Sequence, residues 1–164
     1  MSTEDRATLY PGTARPPTRT ARVAWEGDLE GGSGQVTLES SRVATHPISY
    51  YERTAQEAGG TTSPEELLAA AHTTSYVMAL SAVVAQSGGT PQSLDVSEDV
   101  SLAPDPAGGF RLAGLTLTVR GRVAGLDADG FAEAARRAAG TDPFGKALAA
   151  VQITVHAELE LSPR

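Results

Sequence analysis

The chain has no cysteine among its 164 residues. That absence excludes disulfide bridges, cysteine-ligated zinc, iron–sulfur clusters and any thiol nucleophile. Basic residues are also in short supply, 13 against 20 acidic ones, for a formal net charge of −7. A surface of that sign repels phosphate backbones and anionic bilayers, so neither nucleic acid nor a membrane is an expected partner. The three histidines, His46, His72 and His156, show no ligand spacing, so no metal and no cofactor is expected. Walker loops and strand–GxGxxG–helix arrangements are missing as well, which leaves nucleotide binding through those motifs unsupported. Residues 1–6 are polar and mixed in charge with no apolar run behind them, so a cytoplasmic location is the expectation.

What is present reads as globular: 40% hydrophobic and 20% charged residues in a length suited to a single domain. Residues 1–21 carry Pro11, Pro16, Pro17 and several threonines but little to bury, which predicts a flexible N-terminal arm before a single domain over 22–164. From Arg22 onward Val23 and Trp25 alternate with polar neighbours. Turn residues Gly27-Asp28 and Gly31-Gly32-Ser33-Gly34 then lead into alternating Val36 and Leu38, a hairpin pattern. A third strand is expected over 48–53, and the polar, glycine-rich stretch 54–62 reads as a loop.

The strongest local signal follows. Ser63-Pro64-Glu65-Glu66 combines an N-cap serine, a proline at the first helical position and a capping-box glutamate, predicting a helix from 64 to about 86, where Gly88-Gly89 and Pro91 stop it. Between Leu67 and Ala85 no residue carries a formal charge. A helix apolar nearly all round must be enclosed, and His72, Thr73, Thr74, Ser75, Tyr76 and Ser81 make it too polar for lipid. Packing against its own copy in a homodimer would cover it.

Downstream, Leu94, Val96, Val100 and Leu102 share one parity, and Glu98 lands on that apolar face, at a bulge or opposite something polar. A second strand continues through Leu115, Leu117, Val119 and Val123, with Gly114 suggesting a bulge. Asp127 caps a predicted helix through Phe131, Ala134, Ala135 and Ala138, a short helical turn spans 143–149, and a last alternating strand runs from Val151 to Leu161. Strands in runs without a βαβ rhythm indicate an antiparallel α+β fold.

One constellation suggests chemistry. Glu65 and His72 lie about 20° apart around the long helix, with Ser75 one turn further on. A Glu–His–Ser row suggests a hydrolase using Ser75 with His72. The competing reading is a satisfied core histidine and a serine bonded to the carbonyl four residues back. Arg53, if held by a carboxylate such as Glu65, would make an anion or polar-oxygen site; a plain surface arginine is the alternative.

Trp25-Glu26-Gly27-Asp28, the run from Ser63-Pro64-Glu65-Glu66 to Ala70-Ala71-His72, and Met78-Ala79-Leu80-Ser81 together resemble the osmotically inducible protein C and organic hydroperoxide resistance (OsmC/Ohr) family. The resemblance implies an α+β, OsmC-like fold: antiparallel sheets wrapped around a long central helix, in an intertwined homodimer. It also implies thiol peroxidases that reduce organic hydroperoxides at two interface sites. The family's peroxidatic cysteine falls on Ser75, ten residues after Glu65, and its resolving cysteine on Asp142 of Asp142-Pro143. Its peroxide-binding arginine falls on Arg53, six residues after Pro47, and the partner carboxylate on Glu65.

Both sulfurs are therefore replaced while the charged pair is kept. A serine hydroxyl cannot cycle through a sulfenic acid and a disulfide, so thiol peroxidase activity is expected to be absent. The expected role is then a stress-related one. Arg53 and Glu65, with apolar walls from Tyr76, Met78 and Phe144, would bind a small hydroperoxide-like or apolar ligand. Residual or non-thiol peroxide detoxification stands as the alternative beside the Ser75/His72 hydrolase.

Overall fold

The computed structural model describes residues 17–160, and the chain divides into two compact units, Met1–Thr62 and Ser63–Arg164. The expected flexible arm falls mostly on 1–16, outside the described residues, as does Leu161 of the last strand.

In the first unit, β1 (Arg22–Glu26), β2 (Ser33–Thr37) and β3 (Thr45–Ser49) form an antiparallel sheet in the order β1-β2-β3. The β1–β2 turn is closed by Asp28. Its carboxylate accepts from the Gly31 N–H at 2.7 Å and its carbonyl from the Gly32 N–H at 3.0 Å. A side chain at Gly32 would place its Cβ 2.2 Å from the Asp28 carbonyl oxygen, so the turn requires glycine there.

The third strand corrects the sequence expectation. It includes His46 and Pro47 and stops at Ser49, and residues 50–54 form a short helix, α1 (Tyr50–Thr54). Ser49 is the reason: its hydroxyl accepts from the Glu52 N–H at 3.1 Å, an N-cap that turns the chain out of the sheet. Pro47 is tolerated because β3 is an edge strand, where a missing N–H need not interrupt the ladder.

In the second unit, α2 (Pro64–Gln86) begins as its motif predicts, with the Ser63 hydroxyl accepting from the Glu66 N–H at 3.1 Å. It ends where Gly88, at φ 87°, and Gly89 fold back, Gly89 donating to the Val84 carbonyl at 3.0 Å. Then come β4 (Thr90–Pro104), β5 (Phe110–Ala124), α3 (Ala128–Thr141), α4 (Pro143–Ala147) and β6 (Ile153–Leu159), the sheet running β4-β5-β6. Pairing of β4 with β5 is antiparallel, but β6 lies parallel to β5. That departs from an all-antiparallel expectation. The chain crosses over through α3 and α4 before returning, and such a crossover delivers a parallel strand.

The register slips between Ser101 and Leu102, beside Gly114, where the sequence suggests a bulge. Glu98 sits in regular pairing opposite Leu117, so no bulge places it on the apolar face.

One stripe of α2 is buried, comprising His72, Tyr76, Leu80, Val83 and Val84, and its four apolar members cluster with Leu117 and Val119 of β5 and Phe131, Ala134, Ala135 and Ala138 of α3. The opposite stripe is open: Met78 is 67% exposed, and Thr74, Ser81 and Ala85 are exposed with it. By length and hydropathy the helix matches a membrane span, yet its buried stripe is that of a core helix.

Candidate functional site

Three elements of the second unit bring four polar side chains together. His72 and Ser75 come from one turn of α2, Glu98 from the inward face of β4, and Asp142 from the residue joining α3 to α4. Asp142 is held there because it ends one helix and starts the next. Its N–H donates to the Ala138 carbonyl at 2.9 Å, and its Oδ2 accepts from the Gly145 N–H at 2.7 Å as the N-cap of α4. Gly145 is required beneath it, since a Cβ there would meet the Ala139 carbonyl oxygen at 2.3 Å.

Ser75 donates its hydroxyl proton to Asp142 Oδ1. Its neighbours behave differently: Thr73 and Thr74 donate back to the helix carbonyls of Ala69 at 2.8 Å and Ala70 at 2.7 Å. Return bonding four residues back, the competing reading of Ser75, is therefore replaced by a contact to another element.

His72 Nδ1 lies 2.7 Å from Glu98 Oε1, and His72 Nε2 lies 3.5 Å from Asp142 Oδ2, with all three side chains fully buried. His72 thus takes its carboxylate neighbours from β4 and the α3–α4 junction. Tyr76 crosses the His72 ring edge-on at 6.4 Å and donates to the Ala135 carbonyl at 2.9 Å. Burial pushes its phenol above the usual tyrosine value.

Glu98 is raised from the ordinary glutamate value. Burial is the main cause and the Asp142 charge adds to it, while the charge and hydrogen bond of His72 oppose. A carboxyl that holds its proton more tightly folded than unfolded supports stability at low pH. That support drains as pH rises from the ordinary value, 4.5, through the raised one. Glu98→Gln removes the titration while keeping the shape. Denaturant unfolding followed from pH 4 to 8 should show a flatter decline with pH in the variant than in the parent, the difference approaching about 1.4 kcal/mol per pH unit where Glu98 titrates. Parallel curves would contradict this assignment.

Arg53 is half-buried on α1 in the first unit, and Glu65 is half-buried in the first turn of α2 in the second. Tyr76 has no exposed surface and belongs to the core. Met78 lines an open groove of about 490 Å³ with Val77, Ser81, Pro91 and Leu94, and Phe144 on α4 is 39% exposed. No cluster of three or more His, Asp or Glu with metal-binding geometry occurs among the described residues.

Glu98 as the partner of His72 is the residue that sequence reasoning did not assign. Its signal was a lone carboxylate on an apolar strand parity, facing a helix whose buried stripe contains a histidine.

Comparison with known proteins gives a consistent picture. The sequence profile described as OsmC-like protein matches residues 57–156. The chain is 37% identical over 142 residues to "Peroxiredoxin OsmC" of Escherichia coli (strain K12), covering 87% of this chain and 96% of that protein. Among solved structures, the organic hydroperoxide resistance protein OhrB of Bacillus subtilis superposes with a TM-score of 0.62 at 26% identity, covering 86% of this chain and 98% of that one. An organic hydroperoxide resistance protein from Elizabethkingia anophelis shares the fold at a TM-score of 0.69 and 19% identity, over 92% of this chain and 100% of that one.

Proposed function

The chain belongs to the OsmC-like protein family, and from that premise we propose that it is a stress-response member whose site has abandoned thiol peroxidase chemistry and binds a small ligand instead. The observation that carries the reading is the Ser75–Asp142 hydrogen bond. The two positions at which family resemblance places cysteines meet in space, and they meet as a hydroxyl and a carboxylate. Neither group can be oxidised to a sulfenic acid or resolve one as a disulfide, so a peroxide arriving here finds no two-electron reductant.

In this reading the protein is a cytoplasmic homodimer of a single OsmC-like domain over 22–164. The open stripe of α2, with Met78 67% exposed, supports a second copy as its cover. Arg53 and Glu65 are each carried over on motif position as polar contacts of the ligand. Met78 and Phe144 supply exposed apolar surface, while Tyr76 is buried in the core. The ligand expected is small, with a polar head and an apolar body.

The test is consumption of an organic hydroperoxide with a dithiol reductant, run on the natural chain and on Ser75→Cys combined with Asp142→Cys. The natural chain is expected to show no turnover above buffer, and the double variant to gain measurable turnover. Enzymatic rates in the natural chain would overturn the reading.

A further inference from the structure

Ser75, Asp142, His72 and Glu98 form an unbranched chain of polar contacts. It starts at Ser75, a half-buried residue, and ends at the enclosed Glu98 carboxyl. We propose that this chain is an acid–base relay that makes Ser75 a nucleophile toward small activated esters, with Asp142 as the base that takes the Ser75 proton. The proposal rests on the reading of the site as thiol-free and names a substrate class for it.

Geometry carries the assignment. A nucleophilic hydroxyl needs a fixed base within hydrogen-bond reach and a third group that orients the base. Here the hydroxyl proton is already directed at Asp142 Oδ1 and away from the helix carbonyls that hold Thr73 and Thr74. Asp142 is itself immobilised by the Gly145 N–H on its other oxygen. His72 is not the group that Ser75 touches. It stands behind Asp142, its ring fixed by the 2.7 Å contact of Nδ1 with Glu98.

Buried polar atoms are almost always satisfied. Among the described residues, the buried side-chain atoms without a hydrogen-bond partner are Thr61 Oγ1, His72 Nε2 and Glu98 Oε2. Two of these three lie in this one cluster, beside the base: His72 Nε2, 3.5 Å from Asp142 Oδ2, and Glu98 Oε2. The side chains of His72, Glu98 and Asp142 are fully buried and Ser75 is half-buried, so a substrate would have to meet the chain of contacts at the Ser75 hydroxyl.

The chemistry balances without an oxidant or a metal ion. Ser75 Oγ bonds to the acyl carbon while its proton passes to Asp142. The bond from acyl carbon to the alcohol oxygen breaks, and that oxygen leaves with the proton from Asp142. Water then bonds to the acyl carbon, gives a proton to Asp142, and Ser75 Oγ leaves and recovers it. The sum is ester plus water to acid plus alcohol. Glu98 and His72 are positioning residues: they set the charge beside Asp142 and touch no substrate.

The experiment uses p-nitrophenyl acetate with the full chain, reading p-nitrophenolate release and the site of acetylation by peptide mass spectrometry. One acetyl group on Ser75 is expected. It should be lost in Ser75→Ala and retained in Ser101→Ala, a control at an exposed serine of β4. Asp142→Asn keeps an acceptor for Gly145 and so preserves the fold, which circular dichroism checks. It should slow acetylation at least about a hundredfold. Glu98→Gln should shift the pH profile of acetylation, a change that loss of packing alone would not produce. Acetylation undiminished in Ser75→Ala, or an unchanged rate in folded Asp142→Asn, would overturn the relay. Neither result would touch the thiol-free reading, which stands or falls on the hydroperoxide assay.

Discussion

Asp142→Ala is expected to lower the unfolding free energy by about 3–5 kcal/mol, the range for removing one member of a buried charged network. Three losses coincide at this side chain. The Ser75 hydroxyl loses its acceptor, the Gly145 N–H loses its cap, and His72 Nε2 loses the carboxylate 3.5 Å away. A helix cap alone contributes about 1 kcal/mol, and a buried donor left without a partner costs about 1–3 kcal/mol more. Asp142→Asn separates shape from charge. Its amide oxygen still caps α4 and its NH₂ still meets Ser75, so a loss of only about 1–2 kcal/mol is expected there. Urea unfolding of the three proteins at neutral pH decides the matter. A cost below 1 kcal/mol for the alanine variant would mean that the cluster contributes little to holding α2, β4 and the α3–α4 junction together.

Phe131→Ala should cost about as much, roughly 3–5 kcal/mol, but through volume rather than charge. Phe131 is fully buried, and its ring lies against Gly121 of β5, where an added Cβ would stand 2.5 Å from the ring's Cζ. The glycine is a recess in the sheet cut to the ring, so the cavity left by truncation is lined by rigid backbone and cannot collapse easily. Phe131→Leu should recover more than half of the loss. The denaturation midpoint is the readout; a drop of less than 1 kcal/mol in the alanine variant would mean that α3 repacks onto β5 without the ring.

Much of this molecule was legible because its signals are local. The capping box at Ser63, the Asp127 cap and the glycine stop after Gln86 each act within one turn of chain, and the observed helices begin and end there. Residues 50–53 read as strand because Ile48, Tyr50 and the residues around them suit a strand by composition. The deciding contact was the Ser49 cap, which competes with the sheet over only three residues. The parallel direction of β6 was hidden for a different reason. Its alternation fixes which face is inward but carries no information about direction, which depends on the crossover through α3 and α4.

The candidate site divides along the same line. Ser75 and Asp142 were found by motif position, yet their contact joins residues 67 apart in sequence, and no periodicity reports such a distance. His72 and Glu98 were each noticed as polar residues on apolar faces, and only packing shows that each is the reason for the other. Arg53 and Glu65 rest on motif position alone, each as a proposed contact of the ligand.

The placement of the four polar groups also bears on how the second unit folds. They arrive on three separate stretches of chain, around residues 72–75, 98 and 142, and each is costly to desolvate without the others. An intermediate that docked α2 on β4 alone would enclose His72 and Glu98 without Asp142, and one that docked α2 on the α3–α4 junction would enclose Asp142 without the His72–Glu98 pair. Half-assembled forms are thereby penalised, and the polar core makes folding of this unit more nearly all-or-none than an oily interface of the same size would.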